Sequence, residues 1–351
     1  MKTVVVGMSG GVDSSLSAFL LKERGYRVIG LFMKNWEEVD EKGVCRATSD
    51  YEDVSRVCEH LDIPYFSIQF VEEYQGRVFQ TFLEELKAGR TPNPDILCNR
   101  EIKFDLLLEK AKQLGGSFLA TGHYCRLHQG HLLKGKDPNK DQSYFLHAVS
   151  GQKFENVLFP VGHLLKGQVR ELAKKANLPT AEKKDSTGIC FIGKRDFKEF
   201  LKPYLGYKQG EFHTLSGKVV GHHDGAAYYT IGQRKGLGLG GEGDAWYVID
   251  KDITQNIVFV ERGANHPALF HQSLIAIHPT WVHSTPAFPL SCTAKIRYRQ
   301  TDQPCTVTLQ EEGSLQILFD EPQRAITPGQ AIVFYSGEKC LGGATIDHIP
   351  K

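Results

Sequence analysis

Apolar residues in the first half of the chain fall alternately into short unbroken runs and into stripes at helical spacing. Val4 to Gly7 is a run, and Leu16, Phe19, Leu20 and Leu21 then recur at helical spacing between Ser14 and about Tyr26. The same patterns predict strands at Arg27 to Met33, Tyr65 to Phe70 and Phe118 to Thr121, and helices at Tyr51 to Leu61, Glu73 to Ala88 and Phe104 to Leu114. Such alternation predicts an α/β domain with a parallel sheet and helices on both faces. Ligands of such sheets sit at the carboxyl ends of the strands. Ser9 to Ser14, Met33-Lys34-Asn35 and Gly122-His123 all follow strands and are expected to converge on one crevice.

From about Lys202 the pattern changes. Glycine becomes frequent, and short alternating runs appear at Tyr228 to Ile231, Trp246 to Ile249 and Ile257 to Val260. After about His271 come further runs at Cys292 to Tyr298, Cys305 to Leu309, Ser314 to Phe319, Ala331 to Tyr335 and Gly342 to His348. Their even spacing predicts a small β-barrel. The division expected is 1–201 for the α/β unit, 202–270 for a small β-rich centre and 271–351 for the barrel.

With 351 residues, 41% hydrophobic and 24% charged, the chain has the composition of an ordinary globular protein. No apolar stretch is long enough to span a membrane. The glycines that follow Met8 end the first apolar run early, so no signal peptide is expected and the predicted location is cytoplasmic. The net charge of +1 neither requires nor excludes nucleic acid. Basic residues nevertheless cluster at Lys134/Lys136, Lys174-Lys175, Lys183-Lys184, Lys194-Arg195, Arg234-Lys235 and Arg297-Tyr298-Arg299. Each alone reads as a solvated surface; several beside aromatic residues are compatible with a polyanion.

The sharpest local signal is Ser9-Gly10-Gly11-Val12-Asp13-Ser14, between the first strand and the first helix. Two glycines permit a tight turn and close approach of backbone to ligand. Backbone N–H groups at the helix N-terminus, with Ser9 and Ser14, suit a phosphate. No lysine follows the glycines, so this is not a Walker A loop. It resembles the PP-loop of the ATP pyrophosphatases, enzymes that cleave ATP between the α and β phosphates, transfer AMP to an oxygen and release pyrophosphate.

Eight cysteines occur, none in a C-x-x-C pair. Zinc ribbons are therefore not expected, nor, with no secretion signal, are structural disulfides, and most of the thiols read as small buried hydrophobes. Cys98 stands in Thr91-Pro92-Asn93-Pro94-Asp95-Ile96-Leu97-Cys98-Asn99, read as a shaped loop because two prolines interrupt it. Cys190 stands in Asp185-Ser186-Thr187-Gly188-Ile189-Cys190-Phe191-Ile192-Gly193. From the residues alone, either cysteine reads as core or catalyst.

These segments, together with Leu31 to Trp36, Ala120 to Tyr124, Asn139 to Phe145, Gly232 to Gly238 and Arg297 to Gln300, resemble the tRNA-specific 2-thiouridylases of the bacterial MnmA type, over essentially the whole chain. The resemblance implies a Rossmann-like, adenine nucleotide alpha hydrolase-like first domain. It implies replacement of the C2 oxygen of a wobble uridine by sulfur, with ATP and Mg2+. ATP would contact Gly7, Met8, Ser9, Gly10, Gly11, Val12, Asp13, Ser14, Met33 and Gly122. Cys190 would carry a persulfide, supplied by a donor protein or cysteine desulfurase. Cys98 would release its sulfur, leaving a Cys98–Cys190 disulfide; direct attack by the persulfide is the other route. Asp95 is the candidate general acid or base. Asn93, Pro94 and Asp95 would meet the target base, extruded from the anticodon loop. His123, Lys140, Asp141, Gln142, Arg297, Tyr298 and Gln330 match positions that touch tRNA.

Three other readings stay open at this point. A PP-loop ligase that accepts ammonia would give the two cysteines no role. A non-catalytic tRNA-binding protein would release no pyrophosphate. Ligation of an iron–sulfur cluster by Asp95, Cys98 and Cys190 is a less favoured sulfur route.

Overall fold

The computed structural model describes residues 1–36, 46–185 and 197–350. Its first unit runs β1 (Thr3–Met8), α1 (Val12–Glu23), β2 (Arg27–Lys34), α2 (Arg46–His60), β3 (Tyr65–Gln69) and β4 (Phe118–Ala120), followed by a hairpin of β5 (Cys125–His128) and β6 (His131–Lys134), then β7 (Val157–Leu158). Five of these strands form a parallel sheet in the order β3-β2-β1-β4-β7. The chain winds one way from β1 to β3 and the other way to β4, so the crevice at the carboxyl ends of β1 and β4 is the topological switch point.

The central strands bury both faces, which is why they read as unbroken apolar runs. Val5, Ile29, Leu31 and Met33 pack on one face against Ile102, Phe104 and Leu107. Val4, Val6, Val28 and Phe32 pack on the other against Leu16, Val54 and Cys58.

The segment expected to be a loop around Cys98 is helical from Pro94 onward. Asn93 caps it, its Oδ1 accepting from Asp95 N at 3.1 Å, and Pro94 occupies the first turn, where a missing N–H costs nothing. The run continues as a π-helical stretch, Cys98–Leu106, with Phe104 out of helical conformation at φ −99°, and ends as Leu107–Gln113. The prolines start a helix here; they do not break one.

The central unit is a four-stranded sheet of β8 (Gly210–His213), β9 (Val219–His223), β10 (Trp246–Asp252) and β11 (Ile257–Arg262), ordered β10-β11-β8-β9. The run Tyr228 to Ile231, expected as a strand, belongs to none of its strands. Gly225 at φ 144° and Gly232 at φ 81° bracket a 3-10 turn at Ala226–Tyr228 instead.

The last unit is a closed barrel of β12 (Phe270–Trp281), β13 (Leu290–Lys295), β14 (Gln303–Leu309), β15 (Leu315–Arg324), β16 (Ala331–Ser336) and β17 (Lys339–His348), closed by β12 on β17. The β5–β6 hairpin of the first unit adds to this sheet through Leu133 opposite Lys339. The barrel is thereby held against the first unit by backbone pairing as well as by side chains.

Gly162 packs directly on the backbone of β5: a Cβ there would stand 1.6 Å from the Cys125 carbonyl oxygen. Gly162→Ala is expected to lower unfolding free energy by about 3 kcal/mol through overpacking. Gly76→Ala, where nothing lies within 4 Å, is expected to be neutral or to stabilise by about 0.5–1 kcal/mol. Urea unfolding of the two variants checks the contrast.

Candidate active site

The glycine loop is shaped by its own hydroxyls. Ser14 Oγ accepts from Ser9 N at 3.2 Å and donates to Gly11 O at 3.1 Å, and Ser15 Oγ donates to the same carbonyl at 2.9 Å. Gly10 has φ 71°, and a Cβ there would meet Asp50 O at 2.7 Å, so the loop lies directly on α2. Gly11 is the N-cap residue of α1 and makes no side-chain cap, leaving the N-terminal N–H groups of a 12-residue helix to a ligand. Gly122, after β4, faces the same turn: a Cβ there would stand 2.8 Å from Asp13 C and Ser14 N. The expected convergence of the two loops is therefore a backbone contact.

Asp13 is the electrostatic centre. Its carboxylate accepts from Tyr124 Oη at 2.7 Å and from Lys166 Nζ at 2.7 and 2.9 Å. Lys166 also reaches Asp185 at 2.9 Å, and Asp185 is bound by Lys140 at 2.6 Å and Arg170 at 2.7 Å. Burial alone would raise the Asp185 pKa, but the hydrogen bonds and charges of Lys140 and Lys166 bring it down to about 2. Burial, then the Asp13 charge, holds the Tyr124 phenol protonated. Tyr124, Lys166 and Arg170 were missed by sequence reasoning. Tyr124 lay inside a matching segment, whereas Lys166 and Arg170 carry no local motif and meet the site only through the fold.

On the helix that Asn93 caps, Asp95 is half-buried, and Cys98 is fully buried at the start of the π-helical stretch, a type of irregularity common at functional sites. Asn99 Oδ1, and both amide atoms of Asn35 just after β2, are buried with no hydrogen-bond partner among the described residues. Such atoms cost about 1–3 kcal/mol each until a partner arrives. Cys190 lies outside the described residues, so the Cys98–Cys190 pairing and the Asp95, Cys98, Cys190 ligand set are not described. Among the described residues no group of three or more His, Cys, Asp or Glu could hold a metal ion.

The residues expected to touch tRNA do not share one open face. His123 is buried between Phe104 and Phe159, with Nδ1 2.7 Å from Thr121 Oγ1, and burial followed by the Lys103 charge keeps it neutral. Asp141 is buried and accepts from Gly135 N, Ser143 N and Ser143 Oγ at 2.9, 3.1 and 3.0 Å. Gln142 accepts from Tyr124 N at 2.9 Å. Arg297 donates to Ile231 O, Ala325 O and Thr327 Oγ1 at 2.8, 3.0 and 3.2 Å, and Gln330 donates to Thr91 O at 2.6 Å. Tyr298 packs on Phe145 at 4.5 Å. Arg297, Tyr298 and Gln330 join the units to one another, whereas His123 and Gln142 bond within the first unit.

Three family models match nearly the whole length in order. They are the tRNA methyl transferase HUP domain over residues 2–194, the tRNA methyl transferase PRC-barrel domain over 198–262 and the aminomethyltransferase beta-barrel domain over 271–346. The tRNA-specific 2-thiouridylase MnmA of Protochlamydia amoebophila is 61% identical over 98% of this chain and 93% of its own length. This chain is a member of the MnmA family. Proteins of the same name from Halalkalibacterium halodurans and Bacillus subtilis are 58% and 55% identical, each over 99% of this chain and 95% of their own length. No described helix of this MnmA-family chain is long and apolar enough to cross a membrane.

Two outcomes are expected. Lys166→Met leaves Asp13 without its cation beside the glycine loop and should weaken ATP binding, read by calorimetry, at least about tenfold. Because the Asp185 pKa is depressed from 3.8 to about 2, its contribution to stability is present above about pH 4 and lost as pH falls toward 2. Asp185→Asn should remove that contribution at neutral pH and flatten urea stability against pH in the same window.

Proposed function

We propose that this protein is a tRNA-uridine 2-sulfurtransferase that uses ATP to convert the wobble uridine of tRNA to 2-thiouridine. The observation that carries the reading is full-length identity of 55–61% to proteins named for that reaction, together with a glycine loop built for phosphate. ATP would lie on Gly7 to Ser14, with Met33 and Gly122 completing the pocket. The α1 N-terminus and Lys166 would face its phosphates. Asp13 and Asp185 are already neutralised by cations, so magnesium would enter on the phosphates of the nucleotide.

Chemically, a carbonyl oxygen must become a leaving group. The uridine O2 attacks the α phosphate, pyrophosphate departs, and C2 carries an O-adenylate. The Cys98 thiolate attacks the inner sulfur of a Cys190 persulfide, forming the Cys98–Cys190 disulfide and expelling hydrosulfide. Hydrosulfide adds at C2 and AMP leaves with the former O2. An external dithiol then reduces the disulfide, and a donor protein or desulfurase reloads Cys190. Asp95 would move the proton at the base. Asn93 and Pro94 would hold the ring, and the unpaired Asn99 Oδ1 would accept the uracil N3–H. Lys140, Tyr298 and Gln330 would meet RNA, while His123, Asp141, Gln142 and Arg297 would act by shaping the surface around it. The proposed division is a catalytic unit at 1–201, a central unit at 202–270 and an RNA-binding barrel at 271–351.

The test is 2-thiouridine formation in unmodified tRNA with ATP, magnesium and a persulfide source. Wild type is expected to thiolate, whereas Cys190→Ser and Cys98→Ser lose at least about a thousandfold in rate, an effect of about 4 kcal/mol. Pyrophosphate release without thiolation by wild type would point to another acceptor. Because Cys98 is fully buried, its alkylation in the free protein is expected to be slow and to accelerate when tRNA binds. Equal rates with and without tRNA would contradict that gating.

A further inference from the structure

Arg234 and Lys235 belong to a matching segment, Gly232 to Gly238, that the reaction above leaves unused. The loop is fixed by its neighbours. Gln233 Oε1 accepts from Thr230 N at 3.0 Å and Gln233 Nε2 donates to Lys235 O at 2.9 Å, so one side chain staples both ends of the turn. Gly232 N donates to Val248 O at 2.8 Å and Val248 N to Gln233 O at 3.0 Å, tying the turn to β10. Leu237 is buried and anchors the far side. Gly232 and Gly236, at φ 81° and 77°, supply the left-handed corners.

This rigid turn presents Arg234 and Lys235, both exposed and, among the described residues, without an ion-pair partner. Exposed cations that are paired, such as Lys112 with Glu109, Lys174 with Glu182 and Arg56 with Asp53, have their charge offset locally; Arg234 and Lys235 do not. More positive charge stands behind the turn. A Cβ on Gly232 would lie 3.4 Å from Arg297 Nη2 and 3.5 Å from Arg324 Nη1, and the Arg324 charge lowers the Arg297 pKa after burial has done so. Uncompensated cations on an ordered loop, with further guanidinium groups beneath, attract a polyanion.

Position supplies the second argument. Ile231 O is held by Arg297, which also holds Ala325 O and Thr327 Oγ1 on the barrel loop 325–330. The other end of that loop carries Gln330, bound to Thr91 O, while Pro328 O accepts from Thr91 N at 2.8 Å. One barrel loop thus clamps the Arg234 turn on one side and the segment leading to Asn93, Asp95 and Cys98 on the other.

We propose that the Thr230–Leu237 turn is an RNA-phosphate clamp, with Arg234 and Lys235 as its contacting cations and Gln233 as its positioning residue, gripping the same tRNA whose base enters at Asn93 to Cys98. This rests on the reading of the chain as a tRNA enzyme. The test is binding of an unmodified tRNA transcript with a wobble uridine to the full-length protein, measured across a salt series. Arg234→Gln/Lys235→Gln is expected to weaken binding on the order of tenfold and to reduce the slope of log K against log salt by about 1.4–1.8, two contacts at 0.7–0.9 each. Both residues are exposed and unpaired, so the melting temperature should hold. Arg234→Lys should keep the slope. Lys174→Gln/Lys175→Gln removes the same net charge away from this turn and should leave the slope at its wild-type value. An unchanged slope in the Arg234/Lys235 variant, or an equal fall in the Lys174/Lys175 variant, would overturn the clamp. Absence of tRNA binding by wild type would overturn it together with the functional reading.

Discussion

The site depends on one cation between two carboxylates. Lys166 binds Asp13, in the first turn of α1, and Asp185, the last described residue before the segment that holds Cys190. Two uncompensated carboxylates beside the α1 N-terminus would repel the triphosphate proposed to lie there. Compensated by Lys166, Lys140 and Arg170, they instead become fixed points that position the loop and the entry to the Cys190 segment. Such pairs contribute little net stability, but removing one partner strands the other charge, which is why the arrangement positions more than it stabilises.

The second constraint is that three small units must act on one long substrate. Apolar clusters cross both junctions, Tyr335 and Cys340 of the barrel with Cys125 and Leu132 of the first unit and Ala325 of the barrel with Ile231 and Ile249 of the central unit, and directional contacts fix their register: backbone pairing of β6 with β17, Arg297 from barrel to central unit, Gln330 from barrel to the Thr91 segment, and Arg90 to Asp347 at 2.7 Å. Hydrogen bonds to fixed carbonyls set register and angle in a way apolar packing does not. An RNA that rests on the central unit and barrel as proposed would therefore be held in a defined place relative to Cys98. The full burial of Cys98 fits a centre that keeps a reactive thiol away from solvent until the substrate is in place.

Where periodicity was strong, the sequence spoke for the fold. The buried strands β1 and β2 and helices α1 and α2 stand close to where their apolar residues put them, because each element is specified by residues within itself. The failures have a common cause. Pro94 was read as a breaker because its role as a helix start depends on the capping amide of Asn93, a contact that a proline count does not reveal. Tyr228 to Ile231 alternates like a strand, but two glycines with positive φ turn it. The long first barrel strand, Phe270–Trp281, was missed because bulges break its alternation. At the site, the glycine loop was legible because its chemistry is contiguous. Lys166 and Arg170 were not, since their helix carries no motif and their partners lie elsewhere in the chain. The residues matched to RNA contact turned out to bond mainly within the chain, a distinction visible only once partners are known.

The central claim is that ATP is spent on turning the uridine C2 oxygen into a leaving group. Transfer of that oxygen tests it most directly. A tRNA carrying oxygen-18 at C2 of the wobble uridine, thiolated in a single turnover with unlabelled ATP and water, should yield AMP with one labelled phosphate oxygen per 2-thiouridine formed. Unlabelled AMP, with the heavy oxygen in water or retained in the RNA, would contradict the account.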